Sequence, residues 1–234
     1  MSLFKKGKRA AVVLMVVGVL LAVFAVGTYG FFGGKKDPGM GEYLKIDADR
    51  DGFVTKKELL QHKEKVVKEK HAKAKELARK GERKENLVTI TFIRPLPLTE
   101  FDAFLRQKPI KLLAFEYRGI DGKGVRWTGH YRTDRGNGFR PDLEELRPQP
   151  AEADFRLVGV IHAIGFVPAS KLSELQGDSR IFLVDNSADE IFVANPKNKH
   201  IPGFFWDLEN FGLAQIDYQF SDGPDEDVRK KLLQ

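Results

Sequence analysis

The chain of 234 residues contains no cysteine. A protein without cysteine has no disulfide framework, no catalytic thiol and no cysteine-ligated zinc site. The sequence also has no Asn-x-Ser/Thr sequon, no His-Glu-x-x-His pair, no phosphate-binding glycine loop and no Gly-x-Ser-x-Gly elbow. These absences exclude the common signatures of metalloproteases, nucleotide-binding enzymes and serine hydrolases, so we expect a protein that is not an enzyme.

Positive charge is concentrated in one stretch of an otherwise ordinary composition. Hydrophobic residues make up 42% of the chain, which is enough to build a core, and the formal net charge is +6. Residues 56–85 contain twelve Lys or Arg against six Glu, so this segment alone accounts for the whole excess. The basic character is therefore local.

Residues 10–32 contain no charged side chain. As a helix they would span roughly 34 Å, enough for a hydrocarbon core of about 30 Å. A basic tail, residues 1–9, precedes them and a flexible linker, residues 33–41, follows. The positive-inside rule then predicts a single-pass transmembrane helix in contact with membrane lipid, a cytoplasmic N-terminus and an extracytoplasmic remainder. A cleaved signal peptide is the competing interpretation.

The segment from residue 47 to residue 58 places oxygen-bearing groups at regular intervals. Calcium takes six to eight oxygen ligands at about 2.3–2.6 Å, so ligands must converge within one short turn. The aspartate carboxylates, the backbone carbonyl of Phe53 and a water held by Thr55 would supply oxygens, and Glu58 would bind through both of its oxygens. The full predicted ligand set is Asp47, Asp49, Asp51, Phe53, Thr55 and Glu58. Gly52 permits the sharp bend at position six.

This pattern resembles the EF-hand, and apolar flanks such as Ile46 and Leu59 extend the resemblance. The resemblance implies a single Ca²⁺ site, which would be permanently filled outside the cell and a sensor if the topology were reversed. An acidic turn that only caps the following helix is the alternative. EF-hands usually pair through position eight, here Val54, and no second good loop is present. We therefore expect a homodimer or a docked partner.

The EF-hand region, residues 42–85, continues into one long charged helix from Thr55 to Arg83. Pairs such as Glu64 with Lys68 support the helix, and its apolar stripe is thin. A solvated spacer is the prediction, and a basic surface lying on anionic lipid is the alternative. Nucleic acid is not an expected partner, because the basic run has no interleaved aromatic residues.

Residues 86–220 have the pattern of a folded α+β domain, and residues 221–234 form an acidic tail. The predicted elements are strand 87–93, helix 100–107, strand 110–117, hairpin arm 125–131, strand 155–167, helix 170–175 and strand 181–184. A polar excursion, residues 132–153, interrupts them. Without the hairpin arm and that excursion the order is βαββαβ, which is the ferredoxin-like arrangement.

Two stretches of this domain resemble known families. Residues 88–101 resemble the opening of extracytoplasmic regulatory domains attached to bacterial anti-sigma factors. Residues 164–185 are similar to the end of subtilisin-type propeptide inhibitors. The first resemblance implies a regulatory domain that recognises a protein partner in the cell envelope. The second implies, as the alternative function, a tethered inhibitor or folding assistant of a subtilisin-like protease.

The remaining polar candidates are weak. His130 near Asp134 is the least implausible catalytic pair, and His162 is expected to be a structural residue of a core strand. Residues 134–145 echo an acidic loop but lack carboxylates at two ligand positions, so no second calcium site is expected. The aromatic cluster at residues 201–211 is expected to pack on an open face of the sheet.

Overall fold

The computed structural model describes residues 46–49, 52–133, 155–189, 204–221 and 226–234. The chain divides into two units, residues 1–37 and 38–234, and every described residue belongs to the second. The predicted basic tail, transmembrane segment and linker lie outside the described residues, as does nearly all of the polar excursion.

The described helices follow one another as α1 (Lys56–Lys65), a π-helical turn (Val66–Lys70), α2 (His71–Arg79), α3 (Leu98–Gln107), α4 (Leu172–Gln176) and α5 (Glu226–Leu232). A short 3₁₀ turn, Ala169–Lys171, leads into α4. The strands are β1 (Glu85–Leu96), β2 (Lys111–Ile120), β3 (Arg126–Arg132), β4 (Arg156–Pro168) and β5 (Ile181–Asp185). The predicted α+β class is confirmed.

The five strands form one antiparallel sheet in the order β3-β2-β4-β1-β5. Strands β2 and β3 are a hairpin whose turn is held by Asp121, since its Oδ1 accepts the backbone N–H groups of Lys123 and Val125 at 2.9 Å each. Gly124 takes a φ of 82° in this turn, a conformation that favours glycine. The hairpin adds β3 as an outer strand beside β2.

One apolar core lies between the sheet and the helices that follow β1 and β4. Alternate residues of β1 enter this core, as the period of two in a strand requires. Its largest fully buried side chains include Phe101, Phe104 and Phe115, whose rings stack or tilt against one another. Ala74 of α2 also belongs to this core.

A second apolar core lies where the segment from residue 46 to α1 meets strand β5 and residues 204–221. We call residues 204–221 the strap. Its buried members are Ile46, Val54, Leu59, Val66, Phe182, Leu183, Trp206, Leu208 and Phe211. Trp206 and Phe211 are therefore packed against the protein, as the sequence predicts for this cluster, whereas Phe205 is exposed. Strand β1 also holds the strap directly, because the N–H of Gln215 donates to the Ile93 carbonyl at 2.7 Å.

The prediction of a solvated spacer helix is wrong. The buried positions of the helical run are Leu59, His62, Val66, His71 and Ala74. Their spacing is three or four residues except across the π-helical turn, where it is five. A π-helical turn takes one extra residue, so it keeps the buried side chains on the side that faces the sheet. The thin apolar stripe is therefore the face of the helical run that packs against the sheet, and His62 and His71 complete this face.

Candidate calcium site

The loop enters α1 through a reciprocal cap. The Thr55 hydroxyl accepts the Glu58 N–H at 3.3 Å, and the Thr55 N–H donates to Glu58 Oε2 at 2.8 Å. This capping box satisfies donors that the first turn of a helix leaves unpaired. The segment therefore caps α1, and the alternative that it does nothing else stays a prediction. Glu58 Oε2 also accepts the Thr55 hydroxyl at 2.8 Å, so both of its lone pairs serve the cap, whereas Oε1 accepts one backbone N–H and keeps a lone pair for a cation.

Three carboxylates of the predicted ligand set converge. Asp47, Asp49 and Glu58 each place an oxygen within 4.8 Å of the others' oxygens, and no other group of this kind is found among the described residues. Oxygens that share one calcium at about 2.3–2.6 Å can be at most about 5.2 Å apart. The cluster is therefore compact enough for its oxygens to share one divalent cation.

Asp47 is the most constrained member of the cluster. The residue is fully buried, and its Oδ2 accepts the Gly52 N–H at 3.0 Å across the loop. Its Oδ1 is also buried and has no hydrogen-bond partner within the described part of the chain. An unpaired buried carboxylate oxygen is costly unless a cation or a donor compensates it.

Glu58 closes the loop from the opposite end. Its Oε1 accepts the N–H of Ala48 at 2.7 Å, which brings position twelve of the loop beside position two. Gly52 has a φ of 92°, and a Cβ at this residue would meet no atom within 4 Å. Glycine is therefore required there by backbone conformation and not by lack of space.

The other predicted ligands are only partly described. Asp51 lies outside the described residues. Phe53 is half-buried, with the Lys231 ammonium of α5 5.0 Å from its ring centroid, and Thr55 is engaged in the cap. The roles of the Phe53 carbonyl and of a water at Thr55 stay predictions.

Val54 packs inside its own chain. It is 2% exposed and belongs to the second apolar core with Trp206 and Leu208. The side chain that EF-hands use for pairing is therefore covered by the strap. A homodimer that pairs through Val54 would need this side chain at the surface, so the burial of Val54 removes the support for that prediction.

Two histidines connect the helical run to the sheet, and their contacts were missed from the sequence. The His62 Nε2 lies 2.7 Å from Asp185 Oδ2, and the His71 Nε2 donates to the Val184 carbonyl at 2.8 Å. Burial lowers the pKa of His71, and the Val184 hydrogen bond and the Asp185 charge offset part of that shift. The spacing of Leu59, His62 and Val66 was the signal for a packed histidine.

His130 and Asp134 are not shown as a pair, because Asp134 lies outside the described residues. His162 is buried, and its Nε2 donates to the Trp206 carbonyl at 3.1 Å, as expected of a core histidine. The acidic stretch at 134–145 also lies outside the described residues, so the expectation that it forms no calcium site stays a prediction.

Comparison of the chain with protein-family models, curated proteins and solved structures finds no match. The EF-hand resemblance therefore depends on the loop itself. In the described part of the chain, no helix has both the length and the apolar content for crossing a bilayer. Residues 10–32 are not within that part.

Proposed function

We propose that this protein is a non-enzymatic calcium-binding protein whose site is the loop from residue 47 to residue 58. The observation that carries the proposal is Asp47, fully buried with one carboxylate oxygen lacking a partner among the described residues, beside the carboxylates of Asp49 and Glu58. A divalent cation in this position would compensate the buried charge and the mutual repulsion of the acids.

The donor set favours calcium over other divalent ions. All proposed ligands are oxygens, so a hard cation is preferred over zinc or copper. Glu58, predicted to bind through both oxygens once the Thr55 hydroxyl turns away from Oε2, and the predicted backbone carbonyl of Phe53 suit the six to eight ligands of calcium. Magnesium requires a stricter octahedron at about 2.0–2.1 Å and usually retains several waters.

Calcium would act on the folding of the domain. Ile46 precedes the first ligand, Val54 lies between two ligands, and Leu59 follows the last, and all three belong to the second apolar core. Fixing the loop around an ion would therefore hold three core side chains in place. Calcium would not aim a separate distant domain, because the helical run that leaves the loop packs on the sheet through residues such as Ala74.

For the domain as a whole, we propose the ferredoxin-like arrangement. Omitting β3 leaves the order β2-β4-β1-β5, with α3 between β1 and β2 and α4 between β4 and β5. That order supports a βαββαβ unit with one added hairpin strand. A protein-recognition role in the cell envelope accords with this fold but does not follow from it. The same order supports, as second candidate, an inhibitor or folding assistant of a subtilisin-like protease, testable by direct protease inhibition.

The location proposed for the protein is a membrane, with residues 10–32 as a single span and the calcium domain outside the cytoplasm. The support is the uncharged run of residues and the basic tail before it. Protease added to intact cells should then digest the calcium domain. Its protection until the cells are lysed would contradict this topology.

Calorimetric titration of the full chain with calcium, in a mild detergent because residues 10–32 are apolar, tests the function. We expect one site per chain and a Glu58→Gln variant weakened by at least about tenfold, or about 1.4 kcal/mol. Glu64→Gln is the matched control, since Glu64 is an exposed carboxylate on the same helix. No calcium binding by the parent chain, or equal binding by Glu58→Gln, would refute the proposal.

A further inference from the structure

Strand β3 forms one edge of the five-stranded sheet, and the helical run covers the opposite edge, β5, through His62 and His71. The register of β3 with β2 runs without a shift from Arg126 to Arg132, and this segment contains neither proline nor lysine. Native edge strands are usually short, bulged or interrupted by such residues, because a regular edge pairs readily with another strand. Strand β3 lacks these protections, so its geometry suits the addition of a further strand.

The hairpin determines which backbone groups lie along this edge. The Thr133 N–H donates to the Leu113 carbonyl at 2.8 Å, so this pair is a hydrogen-bonded pair of the ladder between β2 and β3. Hydrogen-bonded and non-hydrogen-bonded pairs alternate in an antiparallel ladder, so the even-numbered residues of β3 direct their N–H and C=O groups away from β2. Thr128 and His130 lie in the middle of this edge, and neither makes a backbone hydrogen bond there to another described residue.

The aromatic side chains of β3 are spaced symmetrically about Gly129. Trp127 and Tyr131 each lie two residues from this glycine, so both point to the same face of the sheet. Tyr131 is partly buried, and its ring centroid lies 5.1 Å from that of Phe115, whereas Trp127 is 40% exposed. The Tyr117 ring occupies the space where a Cβ of residue 129 would lie. One side of Gly129 therefore carries a packed aromatic ring and the other side an exposed one.

We propose that two copies of this protein associate through their β3 strands, antiparallel and with the two Gly129 residues opposed at a two-fold axis. In this register Thr128 forms a hydrogen-bonded pair with His130 of the second copy, as their outward N–H and C=O groups require. Trp127 lies opposite Tyr131 of the second copy in a non-hydrogen-bonded pair, where side chains are closest. The exposed indole is then covered, and the two-fold axis repeats each contact.

The side-chain pattern favours a second copy over a foreign strand. A shift of two residues in either direction would place an aromatic residue opposite Gly129 and remove the aromatic pairs. In the proposed register Arg126 faces Arg132 of the second copy, but the Arg126 guanidinium lies 2.9 Å from Glu209 and its side chain is 6% exposed. The Glu209 charge therefore reduces the repulsion between the two arginines. Strand β3 contributes no residue to the calcium loop, so this association does not depend on the proposed function.

Disulfide formation between introduced cysteines tests the register, because the chain has no cysteine of its own. The Cα atoms of residue 128 and of residue 130 in the second copy would lie about 5.5 Å apart, which a disulfide can bridge. Equivalent residues 128 would lie about 8 Å apart, which is too far. Full-length Thr128→Cys and His130→Cys chains, mixed in mild detergent and oxidised, should give at least about fivefold more linked dimer than either alone. Ala72→Cys, an exposed position on the helical run, should give no such excess with His130→Cys.

Sedimentation of the full chain in the same detergent measures the association without a cross-link. We expect a dimer with a dissociation constant of about 1–100 μM, which Thr128→Pro weakens by at least about tenfold. Proline removes the outward N–H of residue 128 and leaves the ladder to β2 intact. Thr128→Val is the matched control and should associate like the parent. It keeps this N–H and loses only the hydroxyl that accepts the Arg118 hydrogen bond at 2.6 Å.

Three results would overturn the proposal. These are a parent chain that remains monomeric at about 300 μM, a dimer that Thr128→Pro leaves unchanged, and no excess of mixed disulfide. The second result would assign the dimer to another surface, such as residues 10–32. A monomer whose Thr128 and His130 N–H groups are protected from hydrogen exchange would also overturn it, because another part of the same chain would then cover the edge.

Discussion

His62 donates a buried hydrogen bond of 2.7 Å to Asp185, which joins helix α1 to the end of strand β5. The two side chains are 5% and 1% exposed. Burial alone would raise the pKa of Asp185, but the hydrogen bond and charge of His62 and the backbone hydrogen bond from Ser187 lower it overall. Because the first turn of α1 belongs to the loop from residue 47 to residue 58, this contact attaches the loop to the sheet.

Removing one member of this pair should destabilise the domain. We expect His62→Gln or Asp185→Asn to lower the free energy of unfolding by about 2–4 kcal/mol, because the remaining polar group stays buried without its partner. Urea unfolding of each variant measures the change. Asp102→Asn, which affects an exposed pair with Arg106, should cost less than about 1 kcal/mol.

A double-mutant cycle on His62 and Asp185 separates their coupling from other effects of each substitution. We expect the double variant to be less destabilised than the sum of the single variants, since both partners leave together. Additive losses would mean that the 2.7 Å contact contributes nothing specific.

Stability should fall as pH decreases from about 7 towards 5, and His71 should contribute to the slope. Burial holds the pKa of folded His71 below its ordinary value of 6.5. The unfolded chain then binds a proton first, so stability is full above about pH 6.5 and is lost as pH falls towards the folded pKa. The lowered pKa has a physical reason, because a proton added to the buried Nδ1 of His71 would find no hydrogen-bond partner within the described residues.

The measurement is urea unfolding of the parent and of His71→Gln across this pH range. A glutamine amide can still donate to the Val184 carbonyl, so the variant should fold while losing the proton-linked part of the slope. Equal slopes for both proteins would contradict the assignment to His71.

Calcium should raise the melting temperature, if the proposed function is correct. A ligand that binds only the folded state adds about 2.7 kcal/mol of stability at one hundred times its dissociation constant. Calorimetry of the parent with calcium or with a chelator measures this shift. Glu58→Gln should lose most of the shift and Glu64→Gln should retain it. A calcium-independent melting temperature in the parent would argue against binding to the folded domain.

The sequence predicts the local features of this protein well. Three predicted ligands converge because the positions of Asp47, Asp49 and Glu58 within one loop determine where they meet. The strands and the short helix at Phe101 and Phe104 were predicted because alternation and helical spacing are local patterns. In each case the interacting residues are close in sequence.

The long-range contacts were not predicted. The sequence predicts a spacer for the helical run because a count of apolar periodicity treats His62 and His71 as polar. Each histidine is nevertheless buried, and each makes one hydrogen bond to strand β5. The five-residue step at the π-helical turn also hides the apolar stripe from a search for a regular period. His62 and Asp185 are 123 residues apart in the sequence, so no short-range pattern can indicate their contact.

The buried cluster around Arg118 should be the most mutation-sensitive polar feature of the strap. The Arg118 guanidinium donates to Asp207 at 2.8 Å and to Glu209 at 3.1 Å, and its side chain is 3% exposed. Burial alone lowers the pKa of Arg118, but the two carboxylates raise it overall. Glu209 also accepts the Tyr218 hydroxyl at 2.6 Å, and burial together with this bond raises the pKa of Tyr218. Arg126 pairs with the same two acids, at 2.9 Å from Glu209 and 3.6 Å from Asp207, so removing the Arg118 guanidinium would leave two acids sharing one counter-charge.

We expect Arg118→Met to lower the free energy of unfolding by about 3–5 kcal/mol, the usual cost of breaking a buried ion pair from one side. The double variant Arg118→Met, Asp207→Asn should recover part of this loss, because it removes one surplus negative charge and keeps the Arg126–Glu209 pair at 2.9 Å. Trp206 belongs to the same strap, so its fluorescence during urea unfolding reports both changes. A loss below about 1 kcal/mol in Arg118→Met would mean that Arg126 or water compensates the carboxylates and that the strap does not depend on Arg118.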